Sequence, residues 1–250
     1  MARGEGRPVS DVVKKDVGDL LGRLSADDVD RAERGRLLLA LTRALGGAAR
    51  AAGARAAVSG RVLVDLLTDE VAPRLPVRDL LTLRSHHRGL SGDELAEALV
   101  KNASVVTAGI GAAAGAVAAV ELAAPPAFLA APVQLAAETL AVVAVELKLV
   151  AELHVVYGRA PVGTPAQVAA AHLTSWAGKR GLDPAGGGPS LTSVLTAATK
   201  QQLRQRVVRR VGRNLSSLVP FLAGAVAGAE LNRRETRSLG AALVRDLRRR

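Results

Sequence analysis

The 250-residue chain contains no cysteine, which excludes disulfides and thiolate metal sites, and it is long enough to bury a core without such staples. Apolar residues make up 49% and aromatic residues only 2%, so the core has to come from Ala, Val and Leu on closely approaching backbones. The formal charge of +11 is one-sided: residues 200–250 hold 13 Lys/Arg against 3 Asp/Glu, while residues 1–199 are close to neutral.

In chain order, the first ten residues mix Arg3, Glu5 and Arg7 with glycines, and no apolar run follows. A secretory leader is therefore not expected, and the expected setting is cytoplasmic with peripheral membrane association. Ser25 ahead of Ala26, Asp27 and Asp28 reads as an N-cap with an acidic first turn. The helical run behind it takes in 37–41 and 62–67, is interrupted near Gly46-Gly47, and ends at Pro73 and Pro76. A short helix is expected over 77–87. Ser91-Gly92-Asp93-Glu94 has the spacing of a capping box, and the helix it opens runs into the charge-free stretch 102–120.

Pro125-Pro126 breaks the chain, and the next helix is expected over 132–157 with Gly158 as its C′ residue. Thr164-Pro165-Ala166-Gln167 is the cleanest start in the sequence: N-cap, proline at the first helical position, glutamine at the third. That helix passes Trp176 and stops near Gly178, and 183–189 is a glycine-rich loop. Basic helices over 190–214 and 231–249 flank an apolar segment, 215–229. No stretch alternates with period two. The expected fold is all-α, a multi-helix bundle with Gly/Ala-rich apolar core helices and little or no β-sheet. A soft boundary near residue 90 separates an N-terminal helical region, 1–90, from a second domain, 91–250.

Gly111 and Gly115 lie one turn apart on one helix face, and Gly224 and Gly228 repeat the device, with Pro220 and Asn232 at the same spacing on either side. Such ridges let two helices approach closely in a membrane or a soluble core, so these two are expected to pack on each other. The stretch 102–120 is near the length that crosses a bilayer, but Ala and Gly gain little from transfer, which favours a soluble bundle. The helix over 132–157 carries Glu138, Glu146, Lys148 and Glu152, too many charges for spontaneous spanning. Glu138 and Glu152 share a face with Gln134, and Lys148 sits beside it. This polar seam faces a cavity or partner, or, the more ordinary arrangement, is a solvated or salt-bridged stripe. Glu138 and Glu152 are separated by about 21 Å along the axis, too far for a paired-carboxylate hydrolase.

Catalytic signatures are sparse. Gly109-x-Gly111-x-x-x-Gly115 has some of the spacing of a dinucleotide fingerprint, but a helix precedes it where a strand is needed, and Glu121 comes too soon for the ribose-binding acid. No P-loop, HExxH or GxSxG is present. His86, His87, His154 and His172 do not pair at ligand spacing. No catalytic residue, cofactor or metal ligand is assigned. The basic surface is the strongest electrostatic feature: Arg204, Arg206, Arg209, Arg210 and Arg213, then Arg233, Arg234 and Arg237. An amphipathic basic helix suits anionic lipid or an acidic protein partner. Nucleic acid is a weaker match, since no aromatic interleaves the arginines for base stacking. A third alternative is an enzyme with an acidic site near Glu138 and Glu152.

Two blocks carry a family resemblance. One runs from Ala136-Ala137-Glu138-Thr139-Leu140 through Glu146, Lys148, Glu152 and His154 to Val156-Tyr157-Gly158. The other is Pro220-Phe221 with the Gly/Ala-rich turns through Gly224 and Gly228 to Asn232. Together they make residues 90–240 resemble the EcsC family, although Gly109–Gly115 is more Ala-rich than usual there and Pro125-Pro126 departs from the pattern. The resemblance implies a helical, membrane-associated bacterial protein, of a family named for a product encoded beside an ABC transporter. It implies no catalytic residues. The leading expectation is accordingly a non-enzymatic, membrane-proximal protein whose basic C-terminal helices contact anionic lipid or an acidic partner.

Overall fold

The computed structural model describes residues 11–52, 60–121, 131–180 and 219–249, and every regular element among them is helical. α1 (Asp11–Leu24) buries Val17, Leu21 and Leu24 along one stripe and packs on α2 (Arg31–Ala52). Ser25 does not cap α2. Its hydroxyl donates to the Gly22 carbonyl at 2.8 Å and finishes α1, while Asp30 takes the cap by accepting the Glu33 amide at 2.7 Å. Nor do Gly46-Gly47 interrupt α2. Each costs about 1 kcal/mol in helix propensity, and burial of Leu41, Leu45, Ala48 and Ala49 around them outweighs it.

α3 (Gly60–Asp65) widens into a π turn at Leu66–Val71 and closes as a 3-10 turn at Ala72–Arg74, where Pro73 withholds a backbone donor. α4 (Leu80–His86) starts three residues later than the expected 77–87, because Asp79 is its cap and accepts the Thr82 amide at 2.9 Å. Gly89, at φ +82°, turns the chain into α5 (Gly92–Glu121). α6 (Ala131–Val156) ends on Gly158 at φ +64°, as its sequence indicates. α7 (Pro165–Lys179) has the full reciprocal box, with the Thr164 amide donating to Gln167 Oε1 at 2.9 Å and the Gln167 amide to Thr164 Oγ1 at 3.4 Å. α8 (Val219–Arg249) is one continuous helix of 31 residues, not an apolar segment followed by a separate basic one. Pro220 sits in its first turn, where no intrahelical donor is lost.

α6 is the axis of the bundle. Every position from Val133 to Leu153 is buried, and α1, α2, α5, α7 and α8 pack around it. A helix with apolar residues on every side buries them all only when wrapped in this way. One hydrophobic cluster, from Val17 to Leu247, joins α1–α4 to α5–α8.

α5 and α8 form the most extensive pairing and run antiparallel. Arg248 meets Asp93, Gly240 lies against Val100, Asn232 and Thr236 meet Thr107, and Gly228 lies on Gly111. Gly228, Asn232, Thr236 and Gly240 recur every fourth residue, so small side chains line the seam along its length. At Gly111 a Cβ would stand 2.6 Å from the Gly228 carbonyl oxygen, so only glycine permits this approach. Gly224, and with it the expected partnership with Gly115, lies outside the residues whose surroundings are described.

Candidate functional site

The wrapped position of α6 decides the state of its charges. Gln134, Glu138, Glu146, Lys148 and Glu152 are all buried, so the stripe is not solvated and each ionised group needs a partner. Those partners fall into two centres on different sides of the helix.

The first centre surrounds Glu146. Its carboxylate accepts from Trp176 Nε1 at 2.9 Å, from Thr236 Oγ1 at 2.9 Å, and from Arg180 Nη2 in an ion pair. Arg180 also reaches Glu235 at 2.5 Å. Burial pulls the Arg180 pKa down, but Glu146 and Glu235 more than offset it and leave the guanidinium raised. The one hydroxyl proton of Thr236 goes to Glu146, so Thr107 donates to Thr236 across 2.9 Å. Asn232 Nδ2 donates to Glu138 Oε1 and to the Thr107 carbonyl, both at 3.3 Å. α5, α6, α7 and α8 are thus tied by one polar network.

The second centre surrounds Glu152. Arg78, from the segment before α4, donates to both of its oxygens at 2.9 and 3.3 Å. Lys148 reaches Glu152 at 2.9 Å and Asp27 at 2.6 Å, and Arg78 also meets Asp27 at 2.9 Å. Two cations and two carboxylates therefore close a ring between α6, the α1–α2 turn and the entry to α4. On the outside of it, Arg78 Nη1 lies 3.1 Å from His86 Nδ1.

Neither arrangement converges two carboxylates on an open space. Glu138 is bonded to Asn232 and Glu152 to Arg78 and Lys148, at opposite ends of a buried helix. No group of three or more His, Asp or Glu able to hold a metal occurs among the described residues. The sequence pointed to Glu138, Lys148 and Glu152 as a seam, but did not assign Arg78, Asp27, Arg180, Trp176 or Thr236. Only Thr236 left a signal, as the next step of the four-residue row through Gly228 and Asn232. No family model, curated protein or solved structure matches the chain.

Of the four histidines, His154 and His172 meet between α6 and α7, contrary to the expectation from their sequence spacing, with ring centroids 5.5 Å apart. His172 Nε2 is buried without a hydrogen-bond partner, and burial, with His154 adding to it, pushes the ring down to about 4. A base depressed in the folded state is protonated first in the unfolded chain. The neutral ring therefore supports the fold fully above about pH 6.5, and that support is lost as pH falls toward 4. Discounted for the solvent that reaches this half-buried ring, the loss at about pH 5 is about 1–2 kcal/mol. Urea midpoints at neutral pH and about pH 5 check it: His172→Leu should flatten the pH dependence, and an unchanged slope would contradict the assignment.

The basic face lies on α8. Arg233 and Arg234 pair with Glu230, and Arg248 pairs with Asp93. Arg237, Arg245 and Arg249 are exposed, and no described residue forms an ion pair with them. Arg204, Arg206, Arg209, Arg210 and Arg213 lie outside the described residues. By length and composition one described segment, Gly92–Gly115 of α5, is long and apolar enough to cross a membrane, and 33% of its most apolar window is buried.

Proposed function

We propose that the chain is a non-enzymatic, membrane-proximal helical protein of the EcsC type, whose C-terminal helix holds an arginine face against an anionic lipid surface. The observation that carries this reading is the outer face of α8, where Arg237, Arg245 and Arg249 stand exposed and without ion pairs among the described residues. Each such arginine contributes about 1 kcal/mol near an anionic bilayer. The inner face of the same helix is committed to the seam with α5, so its arginines are held outward by packing.

The EcsC resemblance supports the reading through particular residues. Its two blocks supply Glu138, Glu146, Lys148 and Glu152 of α6 and Gly228 and Asn232 of α8, and these make the buried network and the close seam. Residues with structural duties of this kind belong to a scaffold, and the chemistry left over for a partner is the charge outside.

Co-sedimentation with phosphatidylcholine vesicles containing about 30 mol% phosphatidylserine tests the proposal. Binding should be present at low salt, absent on pure phosphatidylcholine, and weakened as salt rises. Replacing Arg237, Arg245 and Arg249 together by Gln should lower affinity at least tenfold, from a loss of up to about 3 kcal/mol. A protein that stays wholly in the supernatant at low salt is not of this kind.

A further inference from the structure

We propose that the end of the bundle where α4, the start of α5 and the last turns of α6 and α8 meet is the lipid-docking surface, with Leu80, Leu81 and Val162 entering the bilayer interface. This rests on the membrane-proximal reading above and gives it a location.

Three contacts bring these elements to one end. Tyr157, just beyond α6, donates its hydroxyl to Asp93 in the first turn of α5 at 2.7 Å. Arg248, in the last turn of α8, reaches the same carboxylate oxygen at 2.8 Å. Arg78 fixes the approach to α4 by its bonds to Glu152. The Tyr157 and Arg248 bonds hold the Asp93 carboxyl below its usual range, so this acid is spoken for.

Four of the seven large apolar side chains exposed among the described residues belong to the segments that enter or leave this end: Val77, Leu80 and Leu81 at the entry to α4, and Val162 five residues beyond Tyr157. Leu81 is 77% exposed and Val162 fully so. Leu83 of the same short helix is buried in the core and anchors it, which turns Leu81, on nearly the opposite side, outward and leaves Leu80 at the rim, 38% exposed. Adjacent exposed leucines are costly in water unless something covers them.

Charge selects the cover. On the segments that meet at this end, Arg84 and Arg88 at and after α4, Arg159 after α6, and Arg245 and Arg249 in the last turns of α8 are exposed, and none has an ion-pair partner among the described residues. Against them, Asp79 is occupied as the α4 cap and Asp93 by Arg248, leaving Glu94 and Glu97 as the exposed acids in the first turns of α5. Nearby Asp27 is held by Arg78 and Lys148, and Asp28 and Glu33 by Arg23. An apolar tip ringed by surplus guanidinium groups matches the layering of an anionic bilayer, with acyl chains below and phosphates at the depth of the arginines.

The cysteine-free sequence allows a single environment-sensitive fluorophore to be attached at Leu81→Cys, Ser238→Cys or Arg50→Cys. Ser238 lies on the exposed middle of α8, and Arg50 is exposed toward the opposite end, near where Gly46 of α2 meets Val133. With phosphatidylserine-containing vesicles the label at position 81 should brighten and shift to the blue, while that at position 50 should not change. Leu80→Ser with Leu81→Ser should weaken vesicle affinity about tenfold with circular dichroism unchanged. If the protein sediments with vesicles but position 81 is silent and position 238 responds, the arginine-face reading stands and this docking end is wrong. An equal response at position 50, or an equal response at position 81 on pure phosphatidylcholine or with a soluble acidic polypeptide, also overturns it. Absence of sedimentation at low salt removes both proposals.

Discussion

Glu146→Ala is expected to destabilise the protein by about 3–5 kcal/mol, the cost of removing one partner from a buried ion pair. The Glu146 side chain is 1% exposed and serves three donors at once. Without it the Trp176 indole N–H and the Thr236 hydroxyl lose their acceptor in an interior that holds no replacement among the described residues. Arg180 would retain only Glu235, whose side chain is 49% exposed and whose pull is screened accordingly. Glu146→Gln keeps the volume and one acceptor oxygen but not the charge, so its cost should be about 1.5–3 kcal/mol. Trp176 is the only tryptophan, and its emission should change in the folded state of both variants. Urea unfolding followed by fluorescence and by circular dichroism measures both effects. A Glu146→Ala protein as stable as an exposed control such as Glu97→Ala would show that the centre contributes nothing.

How far the sequence revealed this arrangement depends on whether the information was local. Caps at Asp79 and Thr164 and the stop at Gly158 are short-range devices, and their helices begin or end where the local chemistry directs. Ser25 misleads because a serine after Leu24 can finish one helix as readily as it can start another; Asp30, four residues before Arg34 and three before Glu33, has the same credentials and wins. The glycines of α2 mislead because propensity is a weak preference that burial overrides.

The candidate site was legible only in half. The charges of α6 are visible in its sequence, and Lys148 and Glu152 are spaced to meet. Whether they face water is a tertiary fact, settled by five helices wrapping α6, and no pattern within 132–157 encodes it. Their partners come from 121, 74 and 34 residues away in the cases of Asp27, Arg78 and Arg180. Nothing in the local sequence around those three residues marks them. The small-residue row of α8 is the opposite case: its fourfold spacing is a one-dimensional trace of a close helix contact, and following it past Asn232 leads to Thr236 and Gly240.

That row gives the second large effect. Gly111→Ala should destabilise the protein by about 2–3 kcal/mol, even though alanine is the better helix former by about 1 kcal/mol. The added Cβ would lie 2.6 Å from the Gly228 carbonyl oxygen and 2.7 Å from its carbon, and backbone atoms on a paired helix cannot step aside singly. Asn232 Nδ2, also 2.7 Å away, would be displaced from Glu138 and from the Thr107 carbonyl, so the clash spreads into the polar network. Gly109 supplies the control within the same helix. It lies two residues back, on nearly the opposite side, and a Cβ there meets nothing within 4 Å. Gly109→Ala should therefore stabilise the protein by about 0.5–1 kcal/mol through propensity alone. The two substitutions are chemically identical and differ only in what faces them, so thermal midpoints that move in opposite directions would tie the destabilisation to the Gly111–Gly228 contact. Midpoints that move together would mean that α5 and α8 do not approach as closely as their glycines allow.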